Sequence, residues 1–161
     1  MKNVLVTGGA GYIGSHTCLE LLRSGHVVLV LDSLYNGNKE AITRVQRMSN
    51  QTLNFSQCDV SDAEAFDGIF DQFKPDAVIH FAGLKAVGES VAEPVRYYDV
   101  NVGGTATLLA AMERAGCANI VLSSSATVFG EPQYLPCDEN HPLNPINPYG
   151  RTKLMEENPL Q

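Results

Sequence analysis

The chain has no tryptophan, and its four cysteines are scattered at positions 18, 58, 117 and 137. No Cys-x-x-Cys pair occurs, and the four lie far apart in the sequence. Neither a metal site nor a disulfide framework is therefore expected. Basic residues are scarce: 11 Lys and Arg against 18 Asp and Glu leave a formal charge of −7. That balance offers no basic patch to nucleic acid and disfavours an anionic membrane surface. No apolar run approaches the ~20 residues of a membrane span. No secretory leader is read, because Met1-Lys2 runs straight into an apolar strand. Free thiols and no leader together predict a cytoplasmic protein. No internal repeat or low-complexity segment is visible.

What is present suits one globular domain over residues 1–161: 44% hydrophobic and 18% charged residues, in a chain long enough to bury a core. Val4–Val6, Val27–Asp32, Leu53–Gln57, Ala77–Phe81 and Ile120–Leu122 read as strands. Between them lie helical patterns. The first carries Ile13, Cys18, Leu21 and Leu22 at helical spacing and ends at Gly25. Others are read over Lys39–Met48, from an Asp62 cap to Phe73, and as one long helix from about Glu93 to Ala115. A loop is read over Ala82–Ser90, and an extended stretch over Glu131–Pro148, where five prolines fall. A last helix starts at Tyr149, with Asn147 as cap and Pro148 in the first position. Alternating strands and helices predict an α/β, doubly wound parallel sheet.

Residues 7–14 read Thr-Gly-Gly-Ala-Gly-Tyr-Ile-Gly between the first strand and the first helix. Gly9, Gly11 and Gly14 fit the G-x-G-x-x-G spacing of dinucleotide-binding folds, and Gly8, Gly11 and Gly14 fit a G-x-x-G-x-x-G spacing. Such glycines allow a sharp turn, a close backbone approach to a pyrophosphate, and a helix packed on the sheet; the helix N–H groups then face the phosphates. Asp32 closes the second strand 18 residues after Gly14, where a carboxylate accepts hydrogen bonds from the adenosine ribose. The next residues, Ser33, Leu34 and Tyr35, offer no arginine for a 2′-phosphate. NAD is therefore preferred to NADP. Asp59 is placed near the adenine or as a helix cap, and Ala82 and Gly83 where bare backbone can approach the cofactor. Tyr149 and Lys153 are four residues apart, on one face of the last helix. A phenol normally titrates near 10, and a neighbouring ammonium favours its ionised form, as a general base needs. Ser125 follows the fifth strand and could share a proton with Tyr149.

Several stretches carry a resemblance. They are Thr7-Gly8-x-x-Gly11-x-x-Gly14, His80-Phe81-Ala82-Gly83-Leu84-Lys85, Ser123-Ser124-Ser125-Ala126-Thr127, and Tyr149-x-x-x-Lys153. Together they resemble the extended short-chain dehydrogenase/reductase superfamily, and within it the UDP-hexose 4-epimerases, which interconvert UDP-glucose and UDP-galactose in galactose metabolism. The resemblance implies a Rossmann-type NAD-binding fold and a tightly held NAD. It implies cofactor contacts at Gly8, Gly11, Tyr12, Ile13, Gly14, Asp32, Ser33, Leu34, Tyr35, Asn36, Asp59 and Val60, and at Phe81, Ala82, Gly83, Leu84, Lys85 and Lys153. Ser125 and Tyr149 are the implied substrate-facing pair, with Tyr149, Lys153 and Ser125 catalytic. Nucleotide-sugar 4,6-dehydratases carry an Asp-Glu pair after the Ser125 position; Ala126 and Thr127 stand here instead. The resemblance also implies a much longer parent enzyme that forms a homodimer. The expectation is thus an incomplete cofactor-binding domain without its substrate domain, with dimerisation and activity in doubt. A non-catalytic NAD-binding module and another nucleotide-sugar epimerase or oxidoreductase stand as alternatives.

Overall fold

Five short runs form a single parallel sheet in the computed structural model, which describes residues 1–160. The strands are β1 (Asn3–Thr7), β2 (Val27–Asp32), β3 (Asn54–Gln57), β4 (Ala77–His80) and β5 (Ile120–Leu122). Their order across the sheet is β3-β2-β1-β4-β5. Leu5 of β1 pairs with Leu29 on one side and Val78 on the other. The three central strands are apolar almost throughout, as expected of strands covered on both faces. Leu5, Val6, Val28, Val30 and Val78 are fully buried. The edge strands β3 and β5 are only partly buried, and Val121 is exposed.

The chain gathers into two compact units, Met1–Ala82 with Thr107–Ser123, and Gly83–Ala106 with the residues from Ser124 on. The first unit holds the sheet together with α1 (Tyr12–Arg23), α2 (Lys39–Ser49) and α3 (Ala63–Phe73). Each helix has a physical start and stop. Asn38 caps α2 by accepting the Glu40 N–H, and Asp62 caps α3 by accepting the Ala65 N–H. Gly25, at φ +79°, lets the chain leave α1, and Lys74 takes the left-handed conformation after α3. Cys18, Leu19 and Leu22 of α1 and Ile42 and Val45 of α2 pack with Val4, Val28 and Val30. Ile13 departs from the expected core stripe: it is 58% exposed, because the buried face of α1 runs through Gly14, Cys18 and Leu22 and Ile13 lies on the opposite side of the helix.

The second unit is helical. It contains α4 (Val87–Ala92), α5 (Pro94–Tyr97), a π-helical turn (Tyr98–Gly103) and the start of α6 (Gly104–Ala115). After β5 come a short 3₁₀ turn (Ala126–Phe129), an irregular proline-rich stretch, α7 (Pro148–Glu157) and a closing 3₁₀ turn (Asn158–Leu160). The long helix expected from Glu93 is thus divided into α5, the π turn and α6. Pro94 opens α5 because it has no N–H to continue α4, and the wider π turn follows. Helical structure also begins earlier than expected, at Val87, which shortens the loop after β4. Leu84, Tyr97 and Tyr149 form the unit's apolar centre, with Val100 against them. No helix among the described residues is long and apolar enough to cross a membrane.

Candidate functional site

In the first unit, the glycine turn is built by close backbone contact. Gly8 has φ +70°, and a Cβ there would lie 2.6 Å from the Ala82 nitrogen and 2.8 Å from the Phe81 carbonyl carbon. A Cβ on Gly14 would run into the Gly8 carbonyl oxygen and come within 2.7 Å of the Gly9 Cα. Gly8 therefore makes the sharp turn and Gly14 lets α1 lie on that turn. Gly9 is filled in by Val30, 2.7 Å from its imagined Cβ, so its role is packing beneath the turn. Gly11 is the least crowded of the four, with only the Gly8 oxygen near, at 3.3 Å. It is the N-cap of α1 and offers no side chain to the helix amides. Tyr12 and Ile13 follow it, both exposed.

Asp32 is 8% exposed at the end of β2. Its Oδ2 accepts the Ala10 N–H at 2.9 Å, and its Oδ1 accepts the Leu34 N–H at 2.8 Å. One carboxylate thus ties the glycine turn to the loop after β2. Carboxylate oxygens carry two lone pairs each, so acceptor capacity is left for a ligand hydroxyl. Leu34 sits at φ +63°, Ser33 and Asn36 are exposed, and Tyr35 is 59% exposed. Asp59 lies two residues beyond the end of β3 and is exposed; its Oδ1 accepts the Ser61 N–H and hydroxyl. Of the two places considered for it, the cap belongs to Asp62. Val60 beside it is buried, and Phe81 and Ala82 are half-buried. A cavity of about 560 Å³ lies between α1 and α2, lined by Tyr12, His16, Leu19, Arg44 and Met48, and reaches the turn at Ala10 and Gly11.

In the second unit, Asn147 caps α7 by accepting the Gly150 N–H at 2.8 Å, and Pro148 occupies the first helical position. This start fixes the phase of Tyr149 and Lys153 on the helix. Tyr149 is buried, edge-to-face against Tyr97 with ring centroids 6.4 Å apart. Its N–H donates to the Ser90 hydroxyl at 3.2 Å. Lys153 is 5% exposed, and its ammonium donates to Glu156 at 2.8 Å. A Cβ on Gly83 would lie 3.8 Å from the Lys153 Nζ. Leu84 is buried and Lys85 exposed. Ser125 caps the 3₁₀ turn: its oxygen accepts from the Thr127 N–H at 3.2 Å and the Thr127 hydroxyl at 2.9 Å, leaving its own proton to donate.

Several residues stand out that the sequence reading passed over. Asn101, in the π turn and 1% exposed, grips Leu84 from both sides: its Oδ1 accepts the Leu84 N–H at 2.7 Å and its Nδ2 donates to the Leu84 carbonyl at 3.0 Å. The same amide donates to Thr152 on α7 at 3.1 Å. An asparagine between two valines inside a helical stretch is the signal that could have found it. Ser90 and Glu156 are also buried. A glutamate near a chain end reads as solvated, and nothing in the sequence marks Glu156 as enclosed. Tyr97 has its hydroxyl 2.7 Å from Glu89 and 2.8 Å from the Ala86 carbonyl, while accepting the Ala86 N–H. Burial and then the Glu89 carboxylate push its phenol up to about 12, so it stays neutral and holds the start of α4.

A family model described as GDP-mannose 4,6 dehydratase matches residues 5–160. The UDP-glucose 4-epimerase of Bacillus subtilis is 55% identical over 158 residues, covering 98% of this chain and 47% of that protein. A UDP-glucose 4-epimerase from Stenotrophomonas maltophila, crystallised with NAD and formylated UDP-arabinopyranose, superposes with a TM-score of 0.97 at 45% identity, over 99% of this chain and 48% of that one. The enzyme from Bifidobacterium longum, in complex with NAD+ and UDP, gives 0.96 at 45% identity, over 98% and 48%. The chain spans about half the length of the relatives it matches. The parallel sheet with flanking helices and the match along nearly all its residues place it: the chain belongs to the family described by the GDP-mannose 4,6-dehydratase model, a Rossmann-type branch of the extended short-chain dehydrogenases/reductases.

Proposed function

We propose that this chain is the NAD-binding portion of a UDP-hexose 4-epimerase acting in galactose metabolism, in the cytoplasm. The observation that carries the reading is the glycine turn. A Cβ at Gly8 or Gly14 would strike backbone, and Gly11 leaves the α1 amides without a side-chain cap. Such a bare, positively polarised turn fits a dinucleotide pyrophosphate. Asp32 fits an adenosine ribose, because both its oxygens are already fixed by backbone N–H groups and keep lone pairs free. Exposed Ser33, Tyr35, Asn36 and Asp59 lie on the loops that follow the second and third strands, beside Val60, and Phe81 to Lys85 follow the fourth.

NAD would supply a hydride acceptor for the sugar C4. In this chain, Tyr149 takes the proton from the C4 hydroxyl as general base, and Ser125, whose own proton is unspent, donates to the same oxygen. Lys153 would hold the nicotinamide ribose by its ammonium, and it stands one helical turn from Tyr149. A nucleotide-sugar dehydratase would need an acid and a base after Ser125. Ala126 and Thr127 provide neither, which supports epimerisation over elimination. The four cysteines are free thiols, as a reducing compartment favours.

Calorimetry on the chain separates the readings. NAD is expected to bind, and Tyr149→Phe to bind it equally well. UDP-glucose binding would mark substrate contacts in this portion; NAD binding alone would mark a cofactor module whose sugar contacts lie elsewhere. Failure of the chain to bind NAD would overturn the proposal.

A further inference from the structure

Glu156 is 1% exposed, a more deeply buried charge than Lys153 itself. The two are three residues apart on α7 and share a face, with Nζ and Oε2 2.8 Å apart and side-chain exposures of 7% and 0%. The carboxylate also takes a hydrogen bond from Thr105 at the start of α6, while Oε1 has no hydrogen-bond partner among the described residues. The ionisable groups that bear on it are Lys153 and Glu157 on its own helix, with the Tyr149 phenol one turn before Lys153. Burial pushes the Glu156 carboxyl up, against the opposing pull of Lys153 and of the Thr105 bond. A lysine side chain is long and rotamer-rich, so its head group needs a fixed partner to stay in one place. Here a carboxylate that is itself enclosed supplies that partner, with the ammonium beside the bare backbone of Gly83.

We propose that Glu156 is a positioning residue that acts through Lys153: it holds the ammonium in place beside Gly83, so that NAD affinity depends on a carboxylate that does not itself touch the dinucleotide. This rests on the NAD-binding reading above. Glu156→Gln keeps the volume and an oxygen for Thr105 but removes the charge.

The test is calorimetric titration of NAD into the wild-type chain and Glu156→Gln, with unfolding by urea recorded for each. The variant is expected to bind about tenfold more weakly, the loss of one charge-assisted hydrogen bond that fixes the ammonium. A purely structural role would cost NAD affinity with or without the lysine. In a Lys153→Met background, adding Glu156→Gln should leave NAD affinity where it is, because the route through the ammonium is gone. Equal affinities in wild type and Glu156→Gln, or an undiminished loss in the Met background, would overturn the inference. If wild type itself does not bind NAD, the function reading fails, and the unfolding data decide this one. Lys153→Met should then lower the folding constant at least about tenfold more as a single change than when it is added to Glu156→Gln. Additive losses would reject it.

Discussion

Gly8 and Gly25 offer a matched pair of substitutions. Both have left-handed backbone, at φ +70° and +79°. Placing alanine in that conformation costs about 1–2 kcal/mol at either site. The surroundings differ. A Cβ on Gly25 meets nothing within 4 Å, whereas one on Gly8 is pressed to 2.6 Å from the Ala82 nitrogen and 2.8 Å from the Phe81 carbonyl carbon. Both of those atoms are backbone at the end of a central strand, where a shift would disturb the pairing of β4 with β1. Such overpacking adds about 1–3 kcal/mol. Gly25→Ala should therefore lower the unfolding free energy by about 1–2 kcal/mol, and Gly8→Ala by about 2–5 kcal/mol. Urea denaturation followed by far-ultraviolet circular dichroism measures both, since the chain has no tryptophan to report by fluorescence. Calorimetry adds a second contrast: Gly8→Ala should lose NAD binding and Gly25→Ala keep it. Equal destabilisation of the two variants, with NAD binding retained in both, would refute the claim that the turn is shaped by backbone contact.

Asp32→Ala should destabilise by about 2–4 kcal/mol, because the Ala10 and Leu34 N–H groups lose a charged acceptor, and should abolish NAD binding; urea melts and calorimetry check both. Burial, then the Asp62 and Asp59 carboxylates, push the Cys58 thiol up to about 11. Its alkylation at pH 8.5 should lag well behind that of free cysteine, and Asp59→Asn should speed it, as mass spectrometry would show. Glu156 sets a pH trend. Its carboxyl is raised above the ordinary 4.5, so the folded chain binds that proton more tightly than the unfolded chain. The stability it contributes is full below about 4.5 and is lost as pH rises through the folded value. Glu156→Gln should therefore flatten the fall in unfolding free energy above pH 4.5, as urea melts across that range would record.

The parallel sheet is legible in the sequence because strands covered on both faces must be apolar end to end, and β2 is so up to its closing Asp32. The caps at Asp62 and Asn147 are legible because a side-chain oxygen three residues before a free amide is a local arrangement. Asp32 is found by its strand-end place and spacing. That it also ties the glycine turn to the following loop is not visible there, since the Ala10 contact joins residues 22 apart in sequence. The division of residues 87–115 escapes a reading by pattern because a π turn has no composition of its own; Pro94 marks one break and nothing marks the π turn. Ile13 reads as core from its apolar character alone; counted from Gly14, Cys18 and Leu22, the helical period puts it on the outer face. The burial of Glu156 depends on what covers α7, and a single sequence does not carry that.

The π turn between Tyr98 and Gly103 has a consequence for how this segment tolerates change. Such a turn is an ordinary helix carrying a surplus residue, and shortening it by one would give a more regular coil. That tidier version would swing Asn101 round the axis and let go of both polar atoms of Leu84 at once. Length, more than composition, is what this stretch must keep: a one-residue deletion ahead of Asn101 re-aims the amide that holds Leu84 and Thr152.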